Sequence, residues 1–293
     1  MDIVEPINSS LNILIDQWLA EDIGRGDLSG VSVDSTKGSA YILSKEKGYL
    51  CGAGIAKKIF KRIDESIKID LLIRDGKQIN PGDKILNVKG KASSIVAAER
   101  TALNIIMHLS GITTLTSNLV KQLEGSGIKL ADTRKTTPGL RILEKYAFRC
   151  GGGINHRYGL DDAAMLKENH LAWSKSIEKA ISRIRENSSW TTKVIVEAEN
   201  SDQAEEAVIA GADGILLDEI SPSDLKMIVP KLRALNAKHK KNIYSGGITL
   251  EASGVNPFHL NEYASTGVDL ISTSAATTKS KWIDLSMRYC NSN

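Results

Sequence analysis

The chain has little of what several protein classes depend on. Its three cysteines, Cys51, Cys150 and Cys290, are spread over 293 residues. They are too few and too far apart for a disulfide framework or a cysteine-based zinc site. Aromatic residues make up 5% of the chain and do not interleave with a basic stripe, which argues against a stacking platform for single-stranded nucleic acid. The formal net charge is only +3, too small for a global nucleic-acid footprint, so any basic character that matters must be local. No apolar run approaches the ~20 residues that a membrane helix needs. The opening stretch MDIVEPINSSLNILIDQW lacks the basic segment and apolar core of a leader. These absences lead to the expectation of a cytoplasmic protein in a reducing compartment, with neither membrane nor nucleic acid as partner. What is present is 41% hydrophobic residues, enough to build one large α/β domain or two modest ones at this length.

The apolar periodicity changes character along the chain. Ser10–Ala20 reads as a short helix with Leu11, Leu14, Ile15, Trp18 and Leu19 on one face. Strand-like pieces follow at 39–43, 49–51, 67–73 and 84–88, with a helix near 55–63 and a turn at Asn80-Pro81-Gly82-Asp83. This first part is expected to be α+β with an antiparallel sheet. A long helical pattern covers about 94–123. Beyond it strands (128–132, 163–166, 194–199, 214–218, 242–245, 269–273) alternate with helices (139–148, 174–186, 201–210, 221–235, 259–265), the rhythm of a parallel sheet with right-handed crossovers. Almost every one of these strands ends in polar residues, which favours a (β/α) barrel over an open sheet with a single switch point.

The densest chemistry lies between Ala131 and Leu171, where Arg134, Lys135, Arg141, Lys145, Arg149, His156, Arg157, Lys167 and His170 sit among glycines, threonines and a proline. Such a cluster suits a small polyanion. In DTRKTTPGLR, Arg134 and Lys135 end a strand and face either an anionic ligand or solvent. In GGGINHRYGL, three glycines permit close backbone approach to a ligand, and His156-Arg157 can clamp a carboxylate, the arginine in bidentate fashion. Lys167 ends the apolar strand AAML and needs an acidic or anionic partner. In VIVEAE, Ile195, Glu197 and Glu199 share one face by the period of two. Glu197 and Asp218 end neighbouring strands and suit either a hydrated Mg²⁺ or pairing with cations such as Lys167. SGGI, Ser245 to Ile248, reads as a phosphate loop or an ordinary turn. Arg100 lies on the long helix in a polar stripe with Thr101, Asn104 and His108, which points to an interface or a site.

Taken together, EDIGRGDLS, ERTALNIIMHLSGI, ADTRKTTPGLRILEKYAFRCGGGINHRYGL, MLKENH, VEAEN, GADGILLDEISP, SGGI and TGVDLIS resemble the quinolinate phosphoribosyltransferase family from residue 21 to about 272. The resemblance implies an α/β fold with an N-terminal α/β sandwich domain at 1–112 and a partly open (β/α) barrel of TIM type at 113–277, a C-terminal helix at 278–293 packing back on the first domain. It implies phosphoribosyl transfer from 5-phosphoribosyl-1-pyrophosphate to quinolinate, with Mg²⁺, giving nicotinate mononucleotide, pyrophosphate and CO₂ for NAD biosynthesis. It also implies a homodimer or higher homo-oligomer in which Arg100 crosses to the neighbouring subunit's site. Residue by residue, Arg134, His156, Arg157 and Lys167 correspond to the quinolinate pocket and Lys135 to a lysine near the phosphates. Glu197 and Asp218 correspond to the acidic pair near ribose and Mg²⁺, and Ser245, Gly246 and Gly247 to the 5′-phosphate loop. Lys135, Lys167, Glu197 and Asp218 are the expected catalytic set.

The chain departs from the family pattern in places. Ser274 stands for a phosphate-loop glycine, Thr278 for a histidine and Glu219 for the usual asparagine, and ASGVNPFH at 252–259 reads as an insertion. A paralogue tied to molybdenum-transport operons shares the Thr-Ser-Ala ending but lacks the full DTRKTTPGLR and CGGGxNHR motifs. The alternatives are therefore the same fold acting on another heterocyclic or aromatic acid, or a non-catalytic binder of phosphorylated metabolites.

Overall fold

The structure is a computed structural model in which residues 5–6, 8–174, 176–239 and 247–290 are described. In chain order its strands are β1 Lys37–Ser44, β2 Gly48–Tyr49, β3 Lys68–Leu71, β4 Gln78–Ile79, β5 Lys84–Lys91, β6 Lys129–Ala131, β7 Ala164–Leu166, β8 Val194–Ala198, β9 Gly214–Asp218, β10 Thr249–Ser253, β11 Leu270–Ser272 and β12 Leu285–Tyr289. Its helices are α1 Asn8–Ile23, α2 Ala53–Ile63, α3 Ala92–Lys121, α4 Arg141–Cys150, α5 Glu168–Ala172, α6 Ile177–Asn187, α7 Ser201–Ala210, α8 Pro222–Lys238 and α9 Ala275–Thr278. Among the described residues no helix is long and apolar enough to cross a membrane.

These elements form two compact units. The first comprises residues 1–117, 136–152 and 276–293, and the second 118–135 and 153–275. The first is built on an antiparallel sheet in the order β12-β1-β5-β3. In β1 the buried positions Ala40, Ile42 and Ser44 alternate with more exposed ones, as a half-buried strand should. Helix α2 carries Ile55, Ile59 and Phe60 into the core on one amphipathic face. The C-terminal segment differs from expectation: it forms strand β12, not a helix, and pairs with β1 from Ala40↔Tyr289 to Ser44↔Leu285. Leu285 and Met287 are buried with Ser286 between them, a period of two that a helix could not satisfy.

The second unit is a six-stranded parallel sheet in the order β6-β11-β10-β9-β8-β7. That order is the chain order of a barrel opened between its first and second strands. From β7 to β11 each successive strand is added on the same side of the one before, with no reversal of strand order of the kind that marks the switch point of a doubly wound sheet. Val194, Val196 and Ala198 of β8, Ile215 and Leu217 of β9, and Leu250 and Ala252 of β10 are buried to within 1% of complete. The alternate positions of the same strands, among them Glu197, Leu216, Asp218 and Glu251, line the cavity described below. Local signals start and stop the helices. The Asn200 side chain accepts from the Gln203 N–H at the start of α7, and left-handed Gly211 (φ 88°) ends it. Ser221 caps α8, with Pro222 in its first turn.

One expected strand, 242–245, falls outside the described residues, and a strand not expected from the sequence follows it. Gly247, the first described residue after that segment, precedes β10. The strand between β9 and β11 is Thr249–Ser253, paired in parallel with both. Ala252 and Ser253, taken from sequence as the start of an insertion, are the carboxyl end of this strand. The reason is burial: Leu250 and Ala252 fill the outer face of the sheet and leave Glu251 and Ser253 on the other.

Candidate active site

Residues from the carboxyl ends of the barrel strands and the loops that follow converge on a cavity of about 250 Å³ in the second unit. Strand register sets their depth. Asp218 pairs with Ser253, and two residues deeper Leu216 pairs with both Glu197 and Glu251. The two glutamates therefore flank Leu216 at one level, with Asp218 and Ser253 one inward step closer to the strand ends.

Asp132, 1% exposed, organises the loops. It follows β6 directly, and its Oδ1 accepts the His156 backbone N–H at 2.8 Å while Oδ2 accepts the Asn155 amide at 2.6 Å. A parallel bridge between Ala131 and Ile154 joins the same two segments. Residues after the glycine triplet are thereby fixed to the end of β6. Arg134 and Lys135, from the first segment, and Arg157, from the second, line the cavity together with Lys167. The Arg157 guanidinium donates from Nη1 to the Ala163 carbonyl at 2.8 Å. Partial burial, and then the nearby charge of Arg134, lower its hold on its proton, with Asp162 opposing. Cations held this close repel one another, and a bound anion relieves that repulsion.

Lys167, at the end of β7, is ion-paired with Glu197 of the neighbouring strand β8. Its backbone N–H donates to Nδ1 of His170 at 3.2 Å. Asp218 is followed by Glu219, whose φ of 55° is the one positive value among the described non-glycine residues. The Glu219 N–H donates to the Ser253 carbonyl at 3.1 Å. Gly254, at φ +70°, packs so closely that a Cβ there would lie 2.5 Å from Glu219 Cγ. The rim beside Asp218 is thus a tight junction of two left-handed residues.

Of the residues singled out from sequence, Arg134, Lys135, His156, Arg157, Lys167, Glu197 and Asp218 come together here. Glu199 does not: it lies beyond β8 and is exposed. Arg141, Lys145 and Arg149 of the same cationic stretch sit on α4 in the first unit. Arg100 is an exposed residue of α3, also in the first unit. Ser245 and Gly246 lie outside the described residues, Gly247 is exposed ahead of β10, and Ser274 is half-buried after β11 without lining the cavity. Sequence reasoning missed Glu251, Ser253 and Ser272, which do line it. The alternation in TLEAS was the available signal for the first two.

The model of the quinolinate phosphoribosyl transferase N-terminal domain matches residues 27–110, and that of the C-terminal domain matches 112–288. The chain belongs to the quinolinate phosphoribosyl transferase family. A probable nicotinate-nucleotide pyrophosphorylase (carboxylating) of Synechocystis is 40% identical over 277 residues, 94% of this chain and 90% of the relative. The rat nicotinate-nucleotide pyrophosphorylase (carboxylating) is 32% identical over 284 residues, 96% of this chain and 91% of the relative. Among solved structures, the nicotinate-nucleotide pyrophosphorylase of Francisella tularensis superposes with a TM-score of 0.90 at 36% identity, covering 99% of this chain and 100% of that one. This quinolinate phosphoribosyl transferase family member therefore has an α/β fold shared with solved relatives over its whole length, including the partly open barrel that carries the cavity.

Proposed function

We propose that the chain transfers the phosphoribosyl group of 5-phosphoribosyl-1-pyrophosphate to quinolinate, releasing pyrophosphate and CO₂ and forming nicotinate mononucleotide. The observation that carries this reading is one cavity in which Arg134, Lys135, Arg157 and Lys167 meet Glu197 and Asp218, in a chain of this family. Quinolinate brings two carboxylates and the sugar substrate several phosphate charges, so both need fixed cations. Arg157 and Arg134 suit planar, bidentate carboxylates. Lys167 can exchange Glu197 for a substrate carboxylate, which leaves Glu197 available to the sugar.

The ring nitrogen attacks the anomeric carbon, the N–C bond forms and the C–O bond to pyrophosphate breaks. Positive charge develops on the sugar, and Glu197 and Asp218 are placed to stabilise it. Holding two substrates in line supplies about 7–11 kcal/mol without a covalent nucleophile. The bond to the 2-carboxylate then breaks. Its electron pair stays on the ring carbon beside the positive nitrogen, and that carbon takes up a proton.

The donor set also fits Mg²⁺. Glu197 and Asp218 are two carboxylates on adjacent strands that line the same cavity. That matches an ion held by one or two carboxylates plus substrate phosphates. Bound there, it would neutralise charge on the departing pyrophosphate.

The reading extends to a cytoplasmic homodimer or larger homo-oligomer in which Arg100 serves the partner's site. Its exposure on α3 supports that role. The test is turnover with Mg²⁺ and the sugar pyrophosphate, quinolinate in one arm and nicotinate in the other. Nicotinate mononucleotide is expected from quinolinate, and EDTA should suppress it. Preferential turnover of nicotinate would replace this reading with the related-acid alternative that Ser274 and Thr278 raised.

A further inference from the structure

Glu251 is the most unusual acid in the cavity wall. It lies on the inner face of β10 between buried Leu250 and Ala252, with 4% of its side chain exposed. One carboxylate oxygen, Oε2, lies 3.1 Å from Nε2 of His156. The other, Oε1, is buried without a hydrogen-bond partner. A carboxylate at that depth is costly unless its contacts serve a purpose.

His156 is held at three points. Its backbone N–H donates to Asp132, its Nδ1 accepts the Arg157 backbone N–H at 2.7 Å, and its Nε2 faces Glu251. An Nδ1 that accepts carries no proton, so the neutral ring carries its hydrogen on Nε2 and donates it to Glu251. Both ring nitrogens are then engaged within the protein, and neither is presented to a ligand. A second cavity, of about 490 Å³, also has His156, Arg157 and Glu251 in its lining. The trio thus forms a wall shared by the two spaces.

We infer that Glu251 is a positioning residue. It fixes His156 as the neutral Nε2–H tautomer, and through the Nδ1 contact His156 fixes the backbone of Arg157, so that Arg157 meets the substrate carboxylate in one orientation. This assigns His156 a supporting place in the wall and leaves the carboxylate contact to Arg157 and its cationic neighbours. The inference rests on the reading that this cavity takes quinolinate.

Long-range proton–nitrogen NMR of the histidine rings in the free protein tests the tautomer without any substrate, with His156→Asn giving the assignment. Near neutral pH, His156 should show the Nε2–H neutral form in the native protein and in Glu251→Gln, whose carbonyl accepts the same bond. Glu251→Ala should show a mixture. Quinolinate affinity by calorimetry should fall about tenfold or more in Glu251→Ala, the scale typical of a lost supporting contact, and Glu251→Gln should restore it to within about threefold. In turnover the loss should appear in KM for quinolinate more than in kcat, as for binding shared by ground and transition states. A native His156 that is an imidazolium or an Nδ1–H tautomer overturns the inference. So does native-like quinolinate affinity in Glu251→Ala, or a Gln variant as weak as Ala, which would make charge rather than the hydrogen bond decisive. Should the Ala variant not fold, the native and Gln spectra and affinities still decide. An Nε2–H signal in a native protein that does not bind quinolinate would remove the substrate reading and leave the tautomer assignment standing.

Discussion

Replacing Asp132 by asparagine isolates the joint that fixes the cationic loops to β6. The carboxylate, 1% exposed, accepts two bonds, from the His156 N–H and the Asn155 amide. Asparagine is nearly isosteric but keeps one acceptor and gains an NH₂ group. Whichever way it turns, one of the two donors loses its acceptor and meets another donor. A hydrogen bond to a charged group contributes about 1.5–3 kcal/mol, and a buried donor left unpaired costs about 1–3 kcal/mol. The two overlap, so a net loss of about 2–4 kcal/mol is expected. For a protein of this size each kcal/mol lowers the melting temperature by about 2–4 °C, giving a fall of roughly 5–15 °C. The displaced loop should also weaken quinolinate binding, because His156 and Arg157 follow Asn155 directly. Calorimetric melting of the free protein and titration with quinolinate measure the two effects. A melting point within ~2 °C of the native value, with unchanged quinolinate affinity, would refute the assignment of Asp132 as the anchor.

Three further outcomes follow from separate parts of the structure. Glu144, fully buried on α4, is raised by burial but lowered further by hydrogen bonds from His108 at 2.9 Å and the Thr137 N–H at 3.0 Å, so its carboxyl sits below the ordinary range. A depressed folded-state value means stability that is present above the unfolded value of about 4.3 and lost as pH falls through the folded one. Glu144→Gln should therefore lower stability at neutral pH and flatten the acid limb of a stability–pH curve, and an acid limb of native steepness would count against it. Glu219, at φ 55°, adopts a left-handed conformation that costs most residues about 1–2 kcal/mol but suits asparagine better. Glu219→Asn should raise the midpoint of urea unfolding, whereas a lowered midpoint would show that the glutamate side chain compensates for its backbone. If Arg100 serves a partner's site, Arg100→Ala and Lys167→Met should each be inactive alone. Mixed, unfolded and refolded together as random dimers, they should recover about a quarter of native activity; no recovery would place Arg100 within its own subunit's chemistry or outside it altogether.

Much of the barrel was legible because its signals are local. The runs VIVEA and GILLD are flanked by caps at Asn200, Gly211 and Ser221, and these set β8, β9, α7 and α8. The cationic residues were legible by their density, although the contiguous stretch divides: Arg134, Lys135, Arg157 and Lys167 line the cavity while Arg141, Lys145 and Arg149 belong to α4. β10 was missed because the paired glycines of SGGI look like a loop after a strand, whereas TLEAS ends in small residues and has only Leu250 as a large apolar group. The meaning of Glu251 is non-local. It depends on His156, 95 positions away, and no spacing along the chain exposes such a pairing. The C-terminal LSMRY, only five residues long, has too few alternations to separate strand from helix without β1 beside it.

The central claim is that this cavity joins quinolinate to a phosphoribosyl group and then removes one carboxylate. Quinolinate labelled with ¹⁴C in its 2-carboxylate, incubated with the protein, Mg²⁺ and 5-phosphoribosyl-1-pyrophosphate, tests it most directly. The account predicts labelled CO₂ in equal amount to unlabelled nicotinate mononucleotide, both dependent on the sugar pyrophosphate and both lost in Lys167→Met. Labelled mononucleotide without CO₂, or no product from a folded protein, would contradict it.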